Sequence, residues 1–195
     1  MSKKQGGIPM KKPVFTAQRI AINAVMIALF VGLSFFSPII AGVKVTIEDL
    51  PVVMSAIIFG PVDAIIVGFL GEFINQMMTY GFTPTTLLWI LPAVSRGLFL
   101  GLCVGAMKRR YSLDELLKTK RVLWVYVFAM ISGILASICN TFAYYVDSTM
   151  YGYYNYALVF GVFWIRVLVG ITASALMAVV TAPIALALKR ARLIR

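Results

Sequence analysis

The sequence predicts an all-α integral membrane protein built as a bundle of six transmembrane helices. Three observations carry that expectation. Hydrophobic residues make up 61% of the chain against 13% charged, and the mean hydropathy is +0.93, beyond the range of a soluble domain. The apolar residues fall in runs approaching the ~20 needed to cross a ~30 Å hydrocarbon core. The basic residues behind the net charge of +11 stand at the ends of those runs and not on an aromatic-interleaved polar face, which argues for topology anchors and against nucleic acid. At 195 residues the chain holds one such bundle, over residues 14–190, with no separate soluble domain.

Residues 1–13, MSKKQGGIPMKKP, read as a flexible basic arm. The first span covers 14–36. It is too long for a signal peptide and lacks an A-x-A cleavage site, so it reads as retained. Ala17, Ala21, Ala24 and Ala28 recur along it every three or four residues, a small-residue stripe suited either to close packing in the bundle or to docking another membrane protein. Residues 37–49 form a connection with Lys44, Glu48 and Asp49 that belongs outside the hydrocarbon. A short second span, 50–59, is stopped by Gly60-Pro61, and a third follows over 62–79. Ten residues rise only about 15 Å, so the second span must be tilted, extended or set beside a cavity.

After the turn YGFTPTT, a fourth span covers 86–107 and ends in KRRYSLDELLKTKR, where Ser112 and Glu115 make a capping-box pattern for a short interfacial helix. The fifth span is placed at 122–146, a polar aromatic loop at 147–156, and the sixth span at 157–188, before the basic tail 191–195. No internal repeat is visible. Cys103 and Cys139 lie inside apolar runs without metal-ligand spacing and read as packed thiols.

With six spans, the basic residues gather on one side. Lys3, Lys4, Lys11, Lys12 and Arg19 precede or open the first span; Lys108, Arg109, Arg110, Lys118, Lys120 and Arg121 follow the fourth; Lys189, Arg190, Arg192 and Arg195 end the chain. Lys44 alone falls on the other side. Both termini are therefore expected to be cytoplasmic, with the loops near 37–49, 79–85 and 147–156 facing outward.

At ~1.5 Å of rise per residue, Arg96 and Arg166 lie roughly 15 Å below the outer boundary, and Glu72 about 10 Å. Asn75 and Gln76 share the helix face of Glu72, and Asn140 lies at similar depth with Tyr144 one turn above it. Charged groups inside a bilayer line cavities or pair with one another. Two arginines against one glutamate leave a positive charge over, so an anionic ligand is expected, held bidentately by Arg96 or Arg166. Glu72 would accept from an N–H-rich heterocycle between flat walls supplied by Trp89, Tyr144 and the tyrosines of the loop at 147–156. The alternative is an internal Glu72–arginine bridge with the second arginine on backbone carbonyls. With no histidine, no HExxH, no GxSxG and no phosphate-binding loop, neither an enzyme nor a cofactor or metal site is expected.

Six short spans, the pair Ala24 and Ala28 in NAVMIALFVGLSF, the run VTIEDLPVVMSAIIFGPVDAIIVGFLGEFINQ and the segment GFTPTTLLWILPAVSRGLFLG together resemble the substrate-binding S component of energy-coupling factor (ECF) vitamin transporters, most of all the folate branch. The resemblance implies a multi-pass protein of the bacterial cell membrane that captures an extracellular vitamin with high affinity. It would pair with a transmembrane coupling subunit and two cytoplasmic ATPases of this ABC-type importer, and topple to release its cargo. Ala24 and Ala28 would meet the coupling subunit, the outward loops would gate the pocket, and Glu72, Asn75, Gln76, Trp89, Arg96, Asn140, Tyr144 and Arg166 would line it. Folate fits the charge count, with its pterin on Glu72 and its carboxylates on arginine. The short GFTPTT keeps pantothenate open, and a neutral vitamin fits that count less well. The rival from another class is a stand-alone proton-coupled carrier titrating at Glu72.

Overall fold

The computed structural model describes residues 17–40 and 42–191. The arm 1–13 and the basic residues it carries, the start of the first span, and Arg192 and Arg195 of the tail lie outside the described residues. Among the described residues seven α-helices follow in chain order: α1 (Ala17–Ser34), α2 (Leu50–Ile58), α3 (Pro61–Thr79), α4 (Thr86–Lys108), α5 (Leu113–Lys118), α6 (Val122–Met150) and α7 (Phe163–Arg190). Between α1 and α2 runs a two-stranded ribbon, β1 (Ile39–Ile40) antiparallel to β2 (Val43–Lys44), and then a 3-10 turn (Ile47–Asp49). A single π-type turn, Ala157–Gly161, precedes α7.

The nine-residue α2 sits at the centre, packed against α1, α3, α4 and α7, with all but one of its residues buried. At about 14 Å it is too short to cross a bilayer. Its flanks are covered by protein, which is how so short an apolar element persists. Gly60, at φ 110°, lets the chain turn sharply out of α2, and Pro61 opens α3 at a position where no N–H is needed. Around this centre α4 packs between α3 and α6, α6 packs against α7, and α1 lies on α3.

Small residues set the spacing. A Cβ added to Gly101 of α4 would fall 2.7 Å from Pro61 N, and one on Gly133 of α6 would fall 2.6 Å from Ser174 Oγ of α7, so both seams need the missing side chain. Large apolar side chains such as Leu29, Leu102, Ile138, Trp164 and Leu176 point outward from the bundle, as a lipid-facing surface requires. Cys103 and Cys139 are free and half-buried.

Among the described residues, four helical segments are long and apolar enough to cross a membrane: Ala17–Ser34, Thr86–Lys108, Val122–Met150 and Ala157–Arg190. The six spans expected from sequence reduce to four by this measure because α2 is short and α3 carries Asp63, Glu72, Asn75 and Gln76. Two further expectations are corrected. The fifth span does not end at 146: α6 continues to Met150, which draws Asp147 out of the supposed loop and buries it. Nor does Arg19 act simply as a topology anchor, since it grips the fully buried Asp63 at the start of α3 through two nitrogens, with Asn23 Nδ2 adding a third bond at 2.8 Å.

The capping box is present, with Glu115 N donating to Ser112 Oγ at 3.3 Å and Ser112 N to Glu115 Oε2 at 3.1 Å. Leucines 113, 116 and 117 anchor α5 to the bundle. Asp114 ties α5 to Lys189 of α7, and hydrogen bonds from Lys189 and Lys118 hold its carboxyl below the usual range.

Candidate ligand-binding cavity

At the end of the bundle away from α5 lies a cavity of about 810 Å³, within the range of small-molecule sites. Its walls come from the C-terminal turns of α1 and α3, the segment 37–49, the first half of α4, the last turns of α6 and the start of α7. Glu72, Asn75, Gln76, Trp89, Asn140, Tyr144 and Arg166 all border it. Arg96 does not. It stands behind the wall, 2% exposed, ion-paired with Asp49 and 3.3 Å from Thr46 Oγ1.

On α3, spacing of three and four residues lets Gln76 Nε2 donate to Glu72 Oε1 at 2.7 Å and Asn75 Nδ2 to Oε2 at 3.3 Å. Trp89 and Tyr144 meet edge to face, ring centroids 5.8 Å apart, and Tyr153 continues the aromatic wall 6.3 Å from Tyr144 in the same geometry. Asp147 ties two of these rings together. Its Oδ1 accepts from Thr85 Oγ1 at 2.5 Å and from Trp89 Nε1 at 3.4 Å, while Oδ2 accepts from the Tyr153 hydroxyl. Burial and this carboxylate push the Tyr153 phenol upward, so it stays a donor near neutral pH.

Arg166 donates to the carbonyls of Val159 at 2.9 Å and Leu158 at 3.0 Å, satisfying the π-type turn before its own helix, and its guanidinium lies 4.9 Å from the Tyr144 ring centre. This corrects the charge count made from sequence. Both arginines are engaged within the protein, Arg96 by Asp49 and Arg166 by backbone carbonyls. Lys44 is paired with Glu48 at 2.8 Å. Among the described residues, the acids Glu48, Asp49, Glu72 and Asp147 border the cavity against Lys44 and Arg166, with Arg96 behind them. Once the two ion pairs are set aside, Glu72 and Asp147 remain against Arg166. The surplus is negative, not positive.

Asp49, Thr85 and Asp147 are polar cavity residues that sequence reasoning did not place at the site, whereas Tyr153 is one of the loop tyrosines expected to supply a flat wall. For Asp147 a signal existed: Asn140, Tyr144 and Asp147 fall at i, i+4 and i+7, one face of a helix carried one turn further. For Asp49 the sequence shows only an acid ahead of Leu50-Pro51, and nothing there records that the segment folds back against α4.

Residues 14–190 match the family described as ECF-type riboflavin transporter, S component. No curated protein matches, and no solved structure does.

Proposed function

The chain belongs to the ECF-type riboflavin transporter S component family, a family of multi-pass membrane subunits serving vitamin uptake, and from that premise we propose that its cavity captures riboflavin. The observation that carries this choice is the state of the cations. Lys44, Arg96 and Arg166 already have partners inside the protein, so the carboxylates of folate would meet no free positive group. Glu72 and Asp147, by contrast, are served by neutral donors only.

A flat, uncharged heterocycle with an imide N–H and a hydroxyl-bearing chain suits that arrangement. The ring would lie along Trp89, Tyr144 and Tyr153. Its N–H and hydroxyl groups would donate to Glu72 and Asp147, and its carbonyls would accept from Asn75, Gln76 or Asn140. The family's name for its vitamin supports the same reading.

The setting we infer is a bacterial cell membrane, with the cavity open to the outside and both termini, with α5, on the cytoplasmic side. Lys108 through Arg121 and Lys189 gathered at the end opposite the cavity support that orientation. Energy would come from a coupling module of one transmembrane subunit and two ATPases. Ala17, Ala21, Ala24 and Ala28 all lie on the exposed side of α1, and this face would meet the coupling subunit.

Riboflavin fluorescence tests the capture. Stacking on aromatic rings should quench it saturably in the purified protein, and Trp89→Leu should weaken binding about tenfold, ~1.4 kcal/mol for a lost ring contact. Unquenched fluorescence at all protein concentrations would refute the reading.

A further inference from the structure

Two carboxylates face the cavity from the helices on either side of α4, Glu72 on α3 and Asp147 on α6; among the described residues neither is in a salt bridge, and Lys44, which lies within electrostatic reach of Glu72, is paired with Glu48. Asp147 is 9% exposed and is approached by donors from three places: Thr85 just before α4, Trp89 one turn into it, and Tyr153 after α6. A carboxylate has about four lone-pair sites, and three donors leave one to a ligand hydroxyl or N–H. Glu72 is held by Gln76 and Asn75 of its own helix and is half-buried.

We propose that Asp147 and Glu72 together form a charge filter that admits the uncharged flavin and rejects its phosphate monoester. The proposal rests on the riboflavin reading and goes beyond it to the form of the vitamin that the chain accepts. A phosphate monoester carries about −1.5 to −2 charges at neutral pH and presents acceptors where these carboxylates need donors. Like charges brought together at a desolvated site repel strongly. Among the described residues each nearby cation is already engaged: Lys44 and Arg96 would have to leave Glu48 and Asp49, and Arg166 the carbonyls of the π-type turn.

A consequence follows for the chemistry upstream. Where the flavin outside the cell is phosphorylated, a phosphomonoester hydrolysis must come first: water breaks the phosphorus–oxygen bond, leaving the free hydroxyl on the flavin and inorganic phosphate. No redox step is needed.

The experiment titrates the detergent-purified full chain with riboflavin and with flavin mononucleotide, following flavin fluorescence, in the wild type and in the isosteric variants Asp147→Asn, Glu72→Gln and the pair together. The wild type should bind the ester at least about 100-fold more weakly than riboflavin. Asp147→Asn weakens riboflavin binding too, so the ratio of the two affinities is the informative quantity; a merely structural role for Asp147 would leave it unchanged. That ratio should shrink about tenfold or more in the double variant. Glu72→Gln, at a half-exposed position, keeps the test available if Asp147→Asn does not fold. Riboflavin and its ester binding within about threefold of each other in the wild type would overturn the filter and leave riboflavin capture standing. An affinity ratio that is the same in every variant would overturn it as well. If neither flavin binds, the riboflavin reading falls and the filter with it.

Discussion

Arg96 and Asp49 neutralise each other inside the bundle, which makes Arg96 a structural residue whose loss is felt in folding before it is felt in binding. Arg96→Ala leaves the 4%-exposed Asp49 alone, and breaking such a buried pair costs about 3–5 kcal/mol. The melting temperature of the detergent-solubilised protein should fall sharply. Removing both charges, in Arg96→Ala with Asp49→Ala, should restore a good part of it, since no unpaired charge then remains. Destabilisation of the double variant equal to the sum of the two singles would contradict the pairing. At this scale the sequence was only half legible. It made Glu72, Asn75, Gln76, Trp89, Asn140, Tyr144 and Arg166 neighbours, because depth along a regular helix can be counted. It put Arg96 among them too, because the count gives depth but not the partner that turns a side chain away. Asp49 reads from sequence only as part of an outward connection, since a loop that dips back into the bundle has no period to follow.

Helices α1 and α6 show how much an element's boundaries and faces can be read in advance. Breakers and caps marked most ends: Gly60-Pro61 between α2 and α3, the turn at 79–85, and the Ser112–Glu115 box of α5. The end of α6 was misplaced because Asp147, Ser148 and Thr149 read as loop by type, while tertiary contacts from Thr85 and Trp89 hold Asp147 in a helix. On α1, Asn23, Met26, Phe30 and Ser34 form the buried stripe, and Phe30 fits against Gly71 of α3. The alanines lie on the opposite side. The sequence left internal packing and external docking open for these alanines, and their exposure favours docking. Ala24→Trp should therefore abolish co-purification with the coupling subunit while leaving riboflavin affinity within about twofold, as expected where bulk on a close-packed interface blocks approach and touches nothing else. Assembly that survives that bulk would remove α1 from the interface.

Across the whole molecule, the two ends have different tasks. At one, α5 is stapled to α7 by Asp114 and Lys189, and the basic residues gather. At the other, six charged groups border a cavity with Arg96 behind them, its cations already have partners within the protein, and two carboxylates are left to neutral donors. Composition settled the membrane class, and the resemblance anticipated the S-component family; the net charge of the site depended on which groups pair in three dimensions, and counting along helices gave it the wrong sign. An uncharged vitamin is the ligand that this charge balance favours. Calorimetric titration of the purified protein with riboflavin and folate in parallel tests it most directly. One riboflavin per chain is expected, with a dissociation constant on the order of nanomolar, about −12 kcal/mol, and no saturable heat from folate. Saturable folate binding with none from riboflavin would contradict it, and would return the arginines to the role that the charge count first gave them.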